Sequence, residues 1–349
     1  MTNKKMKKEN HEPQQPKEKR SKLMMALPIL LILVAVPLSM LLWIGNLAFT
    51  KFWIGENEDV TPIRWLMSVL TPVLIAAWGL KKHAVSISGA IMGLFVGFIL
   101  TLSSYLFLSC LFTFFITGSK VTKFRSEKKR KLEKDFKEGG QRDWTQVICN
   151  SGMAAQLALL YILDSGCGER LINFRDDYRA SWLALGVLGS FACCNGDTWA
   201  SELGTVIGQS KPFLITTFKR VPKGTNGGVS LMGIIFSFLG GLVIGAVYYV
   251  VLLCLVDSSL IARSPPQWPI ILWGGISGFL GSLIDSLLGA TVQYSGLDKR
   301  TGIIVEYPGK DVKHISGYRI LDNHSVNLLS SIIIGVTIPH FANILWPLV

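Results

Sequence analysis

Long runs without a charged residue alternate with short charged segments along this chain of 349 residues. A helix of roughly 20 apolar residues spans the hydrocarbon core of a bilayer, and each of these runs is long enough for at least one such helix. The pattern therefore predicts an all-α fold, a polytopic transmembrane helical bundle, rather than a soluble domain. The runs are Leu23–Thr50, Ala84–Ser119, Trp144–Leu163, Gly224–Val256 and Ser325–Val349.

The run Ala84–Ser119 is too long for one ordinary span, and basic residues flank both of its ends. This favours two short helices that turn near Thr101–Ser104. Gly89, Gly93 and Gly97 recur every four residues, and such small residues let one membrane helix approach another closely. With the shorter apolar segments, the sequence predicts about nine spans: 23–47, 65–80, two within 84–119, 144–163, 180–195, 229–256, 268–290 and 325–346.

Positive charge is concentrated beside the predicted spans. The net charge is +12, and residues 1–22 and 120–142 contribute +5 and +6 of it. Lys and Arg enrichment of this kind marks cytoplasmic segments of membrane proteins, and it argues against nucleic-acid binding. We therefore expect a disordered, basic, cytosolic tail at 1–22, and a single helical membrane domain at 23–349. Its cytosolic loops are 120–142, 197–228 and 291–324.

Four carboxylates are candidates for chemistry: Asp197, Glu202, Asp285 and Asp322. A charge in the bilayer costs roughly 2.5–3.5 kcal/mol on insertion scales and is a functional candidate for that reason. Asp285 has 21 uncharged residues before it and 12 after it. The predicted topology brings all four to one side, where they would repel each other unless they bound a cation such as Mg²⁺. The alternatives are a polar helix end at the interface and the coupling carboxylate of a transporter.

A basic segment follows the first two carboxylates and ends in glycines. Glycines before a helix allow backbone N–H groups to point at an anion, and Lys and Arg neutralise phosphate charge. The alternative is positive-inside charge followed by a flexible turn. The predicted phosphate-binding residues are Lys219, Arg220, Lys223, Gly224, Thr225, Asn226, Gly227 and Gly228.

Two asparagines open the final span. Asn323 and Asn327 lie about one helical turn apart and would share a face, where they could hold a sugar, a base or a metal-bound water. The simpler alternative is that Asp322 or Asn323 caps the helix.

Four blocks of sequence resemble the integral membrane family that includes transmembrane protein 19 and phytyl-phosphate kinase. They are NGDTWASELG, TTFKRVPKGTNGGVSLMG, GSLIDSLLGATVQ and LDNHSVNLLSS, and they occur in family order. The spacing of Asp197, Gly204 and Gly208 before a basic run is also similar to CTP-dependent dolichol and phytol kinases. The residues that fall in the shared blocks are Asp197, Glu202, Lys219, Arg220, Lys223, Asp285, Asp322 and Asn327.

The resemblance implies a membrane kinase that converts a prenyl monophosphate (phytyl, geranylgeranyl or farnesyl phosphate) to the diphosphate, with CTP or another nucleoside triphosphate as donor and Mg²⁺ as cofactor. Asp197 and Asp285 would be its catalytic carboxylates. We expect an endoplasmic reticulum or other endomembrane location, with the N-terminus in the cytosol. The competing classes are an ion-coupled transporter or lipid scramblase that uses Asp285, and an inactive membrane scaffold.

Overall fold

The computed structural model describes residue 34 and residues 36–49, 60–124, 141–208 and 211–346. In this part of the chain the helices of six or more residues are α1 (Val36–Phe49), α2 (Pro62–Lys81), α3 (Ile87–Ser103), α4 (Tyr105–Lys123), α5 (Trp144–Ser165), α6 (Tyr178–Trp199), α7 (Leu231–Leu255), α8 (Ser258–Arg263), α9 (Pro269–Val292) and α10 (Asn323–Leu345). A π-helical turn (Ala200–Gly204) and one short helical turn (Thr205–Ile207) follow α6. The strands are β1 (Phe213–Leu214), β2 (Gly228–Val229), β3 (Ser295–Asp298), β4 (Ile304–Val305) and β5 (Val312–Ser316).

The helices confirm the predicted polytopic all-α class. Among the described helices, six are long and apolar enough to cross a membrane, namely α2, α4, α5, α7, α9 and α10. The shorter apolar helices α1 and α3, together with α6, bring the number that corresponds to predicted spans to nine. The predicted tail 1–22 and most of the loop 120–142 lie outside the described residues.

The predicted division of the run 84–119 is confirmed, and a serine marks it. Helix α3 ends at Ser103, α4 begins at Tyr105, and Ser104 between them has an extended backbone. The Ser104 hydroxyl accepts a hydrogen bond from the Leu106 N–H at 3.2 Å. A serine in this position satisfies one of the N–H groups that a helix start leaves without a partner.

Helix α6 lies at the centre of the bundle, in contact with α4, α5, α7, α9 and α10. Of its 22 residues, 16 are buried. Because its neighbours are protein rather than lipid, it carries polar residues that a lipid-facing helix would not. Asn195, for example, donates to the Gly240 carbonyl at 2.8 Å and accepts from the Thr117 hydroxyl at 2.9 Å.

Helices α6, α7 and α9 meet backbone to backbone at glycines. A Cβ on Gly241 of α7 would lie 2.2 Å from the Gly274 carbonyl oxygen of α9, and one on Gly278 would lie 2.4 Å from the Ser237 carbonyl oxygen. A Cβ on Gly196 of α6 would lie 2.6 Å from the Gly278 Cα. Small residues of this kind permit close helix crossings in membranes. The crossings fix where the following turns of α6 and α9 place their side chains.

The loops collect at two opposite ends of the bundle, grouped as the predicted topology requires. At one end, Arg64 pairs with Glu169 at 2.7 Å, and Glu169 also accepts from the Tyr105 N–H at 2.9 Å. At the other end, Lys123 donates to the Lys82 carbonyl at 2.8 Å. The assignment of this second end to the cytosol stays a prediction.

Short strands cover the second end. Strand β1 pairs with β2, and β3 lies between β4 and β5, with all pairs antiparallel. Leu214, Val221 and Ala290 form a small apolar cluster beneath them. The predicted loops 197–228 and 291–324 therefore contain regular structure that holds them against the ends of α7 and α9.

Candidate functional site

A cavity of about 1110 Å³ lies at the strand-covered end of the bundle. Its walls come from α4, α5, α6, α7, α9 and α10 and from the two strand-bearing segments. All but two of the residues predicted for the site line it: Asp197, Glu202, Lys223, Gly224, Thr225, Asn226, Gly227, Gly228, Asp285, Asp322, Asn323 and Asn327.

Two of the carboxylates, Asp197 and Asp285, are neighbours in the cavity wall. Ser282 is one turn before Asp285 on α9, and its hydroxyl donates to Asp197 Oδ1 at 3.2 Å. The Ser330 hydroxyl of α10 donates to Asp285 Oδ2 at 3.2 Å. Because Ser282 and Asp285 lie three residues apart on α9, the two carboxylates share one part of the wall, where like charges repel each other. In the described part of the chain, neither forms an ion pair with Lys, Arg or His.

The side-chain amide of Asn327, on α10, lies beside the Asp285 carboxylate. In the orientation that satisfies its hydrogen bonds, the Asn327 amide nitrogen donates to Asp285 Oδ2 at 3.1 Å and to the Asn323 carbonyl at 3.0 Å. The other end of the amide lies 3.2 Å from Asn150 Oδ1 of α5. Asn327 thus positions Asp285, while Asn323 lines the cavity nearby.

Glu202 lies on an irregular turn rather than on the regular helix. Helix α6 continues into a π-helical turn at Ala200–Gly204, and such turns are frequent at functional sites. Glu202 lines the cavity. Over the described residues, however, no three His, Cys, Asp or Glu side chains form a group that could hold a metal ion. Of the predicted metal-binding set, the structure therefore brings together Asp197 and Asp285, and it does not add Glu202 and Asp322 to that pair.

Asp322 caps helix α10. Its Oδ1 accepts a hydrogen bond from the Ser325 N–H at 2.8 Å. Hydrogen bonds from Ser325 lower the pKa of Asp322, since they favour the charged form of the carboxyl group. The capping alternative is confirmed, and a metal-binding role for Asp322 stays a prediction.

The predicted cations divide between the cavity and the surface. The Lys223 ammonium donates to the Gly208 carbonyl at 2.5 Å and to the Thr205 carbonyl at 3.2 Å, so it binds the end of the segment that follows α6. Lys219 and Arg220 are exposed and do not line the cavity, and the Arg220 guanidinium lies 5.3 Å from the centre of the Phe213 ring. Phosphate binding by these three residues stays a prediction.

The glycine-rich loop forms part of the cavity wall and packs tightly against α9. Gly224 and Gly227 have positive φ angles of 86° and 78°, and a Cβ on Gly227 would lie 2.4 Å from the Ala290 Cβ. The Asn226 N–H donates to the Ser295 hydroxyl at 3.0 Å. Gly227 therefore serves close backbone approach, one of the roles expected for these glycines, whereas Gly224 serves the positive φ angle of the turn. Phosphate binding by the loop stays a prediction.

Arg142 is a cavity residue that the sequence reasoning did not single out. Its backbone is fixed by hydrogen bonds with Ala84 and Ser86, and its guanidinium lies over the Phe114 ring at 4.9 Å. Burial lowers the pKa of Arg142 to about 10, which leaves it charged at neutral pH. No carboxylate pairs with it in the described residues. In the sequence it is the last of ten basic residues in the loop 120–142, so charge alone could not distinguish it.

Comparison with known proteins finds relatives that cover most of the chain. Protein PGR of Arabidopsis thaliana is 40% identical over 277 residues, which are 78% of this chain and 94% of that protein. An uncharacterized membrane protein of Methanocaldococcus jannaschii is 28% identical over 277 residues, 79% of this chain and 93% of that protein. "Protein VTE6, chloroplastic" of Arabidopsis thaliana is 28% identical over 180 residues, 52% of this chain and 47% of that protein. No solved structure matches.

The family itself is identified by a sequence profile. The profile of the integral membrane protein family DUF92 matches residues 70–335, a stretch that includes the carboxylate pair, the glycine-rich loop and Arg142. The chain therefore belongs to the DUF92 family of integral membrane proteins, which confirms the family resemblance drawn from the four sequence blocks.

Proposed function

We propose that this protein is a membrane kinase that transfers a phosphoryl group from a nucleoside triphosphate, with CTP the expected donor, to a prenyl monophosphate. The observation that carries the proposal is the pair of adjacent carboxylates, Asp197 and Asp285, in a large cavity at one end of the bundle. The resemblance of the four sequence blocks to a family that includes phytyl-phosphate kinase gives the substrate class.

The carboxylate pair suits a magnesium ion. Two like charges in a partly buried wall are unfavourable unless a cation lies between them. Mg²⁺ is commonly held by one or two carboxylates, with water and substrate phosphates completing its shell. Asp197 and Asp285 would hold the ion, and Ser282 and Ser330 would fix their orientation. When bound, Mg²⁺ supplies charge neutralisation between the phosphate groups.

The reaction needs little acid–base chemistry from the protein. An oxygen of the prenyl phosphate attacks the γ-phosphorus, the bond from that phosphorus to the β–γ bridging oxygen breaks, and the nucleoside diphosphate leaves with the bond electrons. The attacking oxygen belongs to an ionised phosphate, so no proton has to be removed from it. Positioning and electrostatic stabilisation therefore dominate catalysis, which fits a site that holds carboxylates, cations and amides.

The nucleotide would occupy the strand-covered part of the cavity. We assign its β- and γ-phosphates to the wall formed by Lys223 and the glycine-rich loop, and its sugar or base to the region of Asn323. Lys219 and Arg220 lie on the adjoining surface, where they would attract the anionic nucleotide before it binds. The prenyl chain would lie among the helices.

We assign the cavity to the cytosolic face of an endomembrane such as the endoplasmic reticulum, with the N-terminus on the same side. The loop 120–142 carries an excess charge of +6, and both of its described ends line the cavity, through Thr122 and through Gln141 and Arg142. Basic loops remain on the cytoplasmic side of membranes, and nucleoside triphosphates are available there.

The test is an activity matrix on the purified full chain in lipid nanodiscs. CTP, ATP, GTP and UTP, each labelled at the γ-phosphate, are combined with farnesyl, geranylgeranyl and phytyl phosphate, with Mg²⁺ or with EDTA. We expect a labelled prenyl diphosphate from at least one pair, dependent on Mg²⁺. If no pair gives product, the kinase proposal is wrong. Nucleotide-independent transport or lipid scrambling by the same preparation in vesicles would then support the rival class.

A further inference from the structure

A second, smaller cavity of about 70 Å³ lies beside the large one, between the α2–α3 pair and the helices α4 and α5. Apolar side chains make up most of its lining, including Pro72, Ala76, Leu111 and Phe115. Four residues line both cavities: Phe114, Arg142, Gln146 and Asn150. The two spaces are therefore adjacent, and the boundary between them is also a boundary between polar and apolar walls.

The glycine repeat of α3 opens this smaller cavity. A Cβ on Gly89 would lie 2.1 Å from the Arg142 carbonyl oxygen, and one on Gly97 would lie 2.9 Å from the Pro72 Cβ. A Cβ on Gly93, between them, would meet no atom within 4 Å. The predicted close helix approach is thus present at Gly97, against α2, while Gly89 meets the backbone of the segment that precedes α5. At Gly93 the missing side chain leaves space instead.

Two polar side chains at the junction of the cavities, Arg142 and Gln146, lack a partner in the described residues: Arg142 has no carboxylate beside it, and the Gln146 oxygen has no hydrogen-bond donor. The Arg142 guanidinium lies over Phe114 and has no carboxylate partner in the described residues. The Gln146 side-chain oxygen is buried, and nothing in the described structure donates to it. It is an acceptor, so it can bind a donor such as water but does not itself favour an anion; that preference comes from Arg142. A positive charge without a counter-ion in a partly buried site favours an anionic ligand.

We infer that this junction binds the lipid substrate, with Arg142 holding the phosphate and the first part of the hydrocarbon chain lying in the small cavity past Gly93. This rests on the proposed function, which supplies the substrate class. The phosphate then projects into the large cavity, towards the wall that contains Asp197 and Asp285. Beyond the small cavity, the rest of a long chain continues towards the lipid that surrounds α2 and α3.

The chemistry of the small cavity favours a hydrocarbon over water. Cavities lined by apolar side chains stay dry and accept apolar ligands, because a water molecule there finds too few hydrogen-bond partners. The burial of each methylene or methyl group of a prenyl chain is favourable. An amphiphile with an anionic head and a hydrocarbon tail matches both sides of the junction, whereas a soluble anion matches only one.

The test fills the small cavity from Gly93. In Gly93→Leu the new side chain occupies the space, and the matched control is Gly45→Leu on α1, where a Cβ also meets nothing within 4 Å and no wall of either cavity is involved. Binding of geranylgeranyl phosphate to each purified variant in nanodiscs is measured without nucleotide. We expect binding about 10-fold weaker, or worse, for Gly93→Leu and unchanged binding for Gly45→Leu.

Two further measurements separate the contribution of the phosphate group to binding from that of the hydrocarbon chain. Isopentenyl phosphate, which has the same head and a single isoprene unit, should lose less affinity in Gly93→Leu than geranylgeranyl phosphate does. Arg142→Ala should weaken both ligands by about 10-fold or more, and Arg142→Lys should recover part of that loss. If Gly93→Leu does not fold, Gly93→Ala gives a smaller loss with the same dependence on chain length.

Equal binding by Gly93→Leu and the natural chain, or equal losses at Gly93 and Gly45, would overturn the inference. Because nucleotide is absent, this outcome is distinct from failure of the kinase proposal. A protein that binds prenyl phosphate at this junction but transfers no phosphate disproves only the kinase. One that makes diphosphate equally well with Gly93→Leu, at the same KM for the lipid, disproves only the binding site.

Discussion

The two ends of the bundle differ in whether a charged side chain in the protein interior has a partner of opposite charge. At one end, the Arg64 and Glu169 side chains are 13% and 15% exposed, and they form a direct ion pair at 2.7 Å. The Arg64 guanidinium also lies 4.4 Å from the centre of the Tyr105 ring. At the other end, Asp197 and Asp285 have like charges, and the described residues give them hydroxyl and amide donors but no ion pair.

We interpret the Arg64–Glu169 pair as structural and the Asp197–Asp285 pair as part of the proposed functional site. A charge that is matched by its own protein costs little to keep and has no need of a ligand. A pair of like charges is unfavourable in the isolated chain, and a stability requirement alone would not retain it. Electrostatic repulsion of this kind is typical of functional sites, where a bound ligand of opposite charge relieves it. The comparison therefore predicts opposite effects of substitution at the two ends.

The largest effect is expected on activity, at the carboxylate pair. Asp285→Asn removes one negative charge and keeps the shape of the side chain, so phosphoryl transfer should fall by about 100-fold or more. The thermal stability should stay the same or rise, because the repulsion from Asp197 is removed. Initial rates of prenyl diphosphate formation and a thermal unfolding curve of the same preparation measure the two effects.

Asp298→Asn is the matched control for that substitution, since Asp298 is the last residue of β3, is partly exposed and does not line the cavity. It should leave the rate of transfer unchanged. A stability loss in Asp285→Asn that accounts for the loss of activity would place Asp285 with the structural residues and remove the distinction between the two ends.

The opposite pattern is expected at the Arg64–Glu169 pair. Arg64→Met leaves the Glu169 carboxylate buried without its partner, which should lower the free energy of unfolding by about 3 kcal/mol. The activity of the molecules that remain folded should not change, because the pair lies at the other end of the bundle. Denaturant titration and the specific activity of the folded fraction measure these quantities.

A double variant sharpens this result. Arg64→Met combined with Glu169→Gln removes both charges, and the Gln carbonyl can still accept from the Tyr105 N–H that Glu169 binds at 2.9 Å. Replacing both members of a buried pair is often close to neutral, so most of the lost stability should return. A double variant as unstable as Arg64→Met would show that packing of the Arg64 stem, rather than charge, holds this end together.

The parts of the fold that follow from local chemistry could be predicted from the sequence. Two basic flanks predicted the turn near Thr101–Ser104, and Ser104 caps the second helix there. Loop grouping followed from charge, because basic segments share one side of a membrane. Asp285 was recognisable because it is isolated in an apolar run, and its neighbour Asp197 because it ends another.

Features that depend on packing between distant segments could not be predicted. Arg142 differs from the other basic residues of its loop only through its position over Phe114, a contact between segments that are 28 residues apart in the chain. The cavity at Gly93 depends on which α3 glycines meet a neighbour. Glu202 was expected on the same side of the membrane as Asp197, but its place on a π-helical turn could not be predicted from the sequence pattern.

The smallest effect concerns Asp322, another carboxylate of the cavity wall, which accepts a hydrogen bond from the Ser325 N–H. Asp322→Ala removes the cap of α10 and should cost about 1 kcal/mol, whereas Asp322→Asn keeps a good capping side chain and should cost less. The folded-state pKa of Asp322 lies below its ordinary value because Ser325 donates to the carboxylate. Its stabilisation is therefore complete above the unfolded pKa of about 3.9 and is lost as the pH falls through the folded pKa.

Unfolding of the natural chain, Asp322→Asn and Asp322→Ala, followed from neutral pH to about pH 3, tests this assignment. The advantage of the natural chain over Asp322→Ala should shrink at the acid end, and the contribution of this position should lose its pH dependence in Asp322→Asn. The rate of phosphoryl transfer by each variant at neutral pH then shows whether Asp322 behaves like the structural Arg64–Glu169 pair or like the Asp197–Asp285 pair. A fall in activity for Asp322→Asn, with its stability intact, would mean that the negative charge itself matters and would join Asp322 to the Asp197–Asp285 pair.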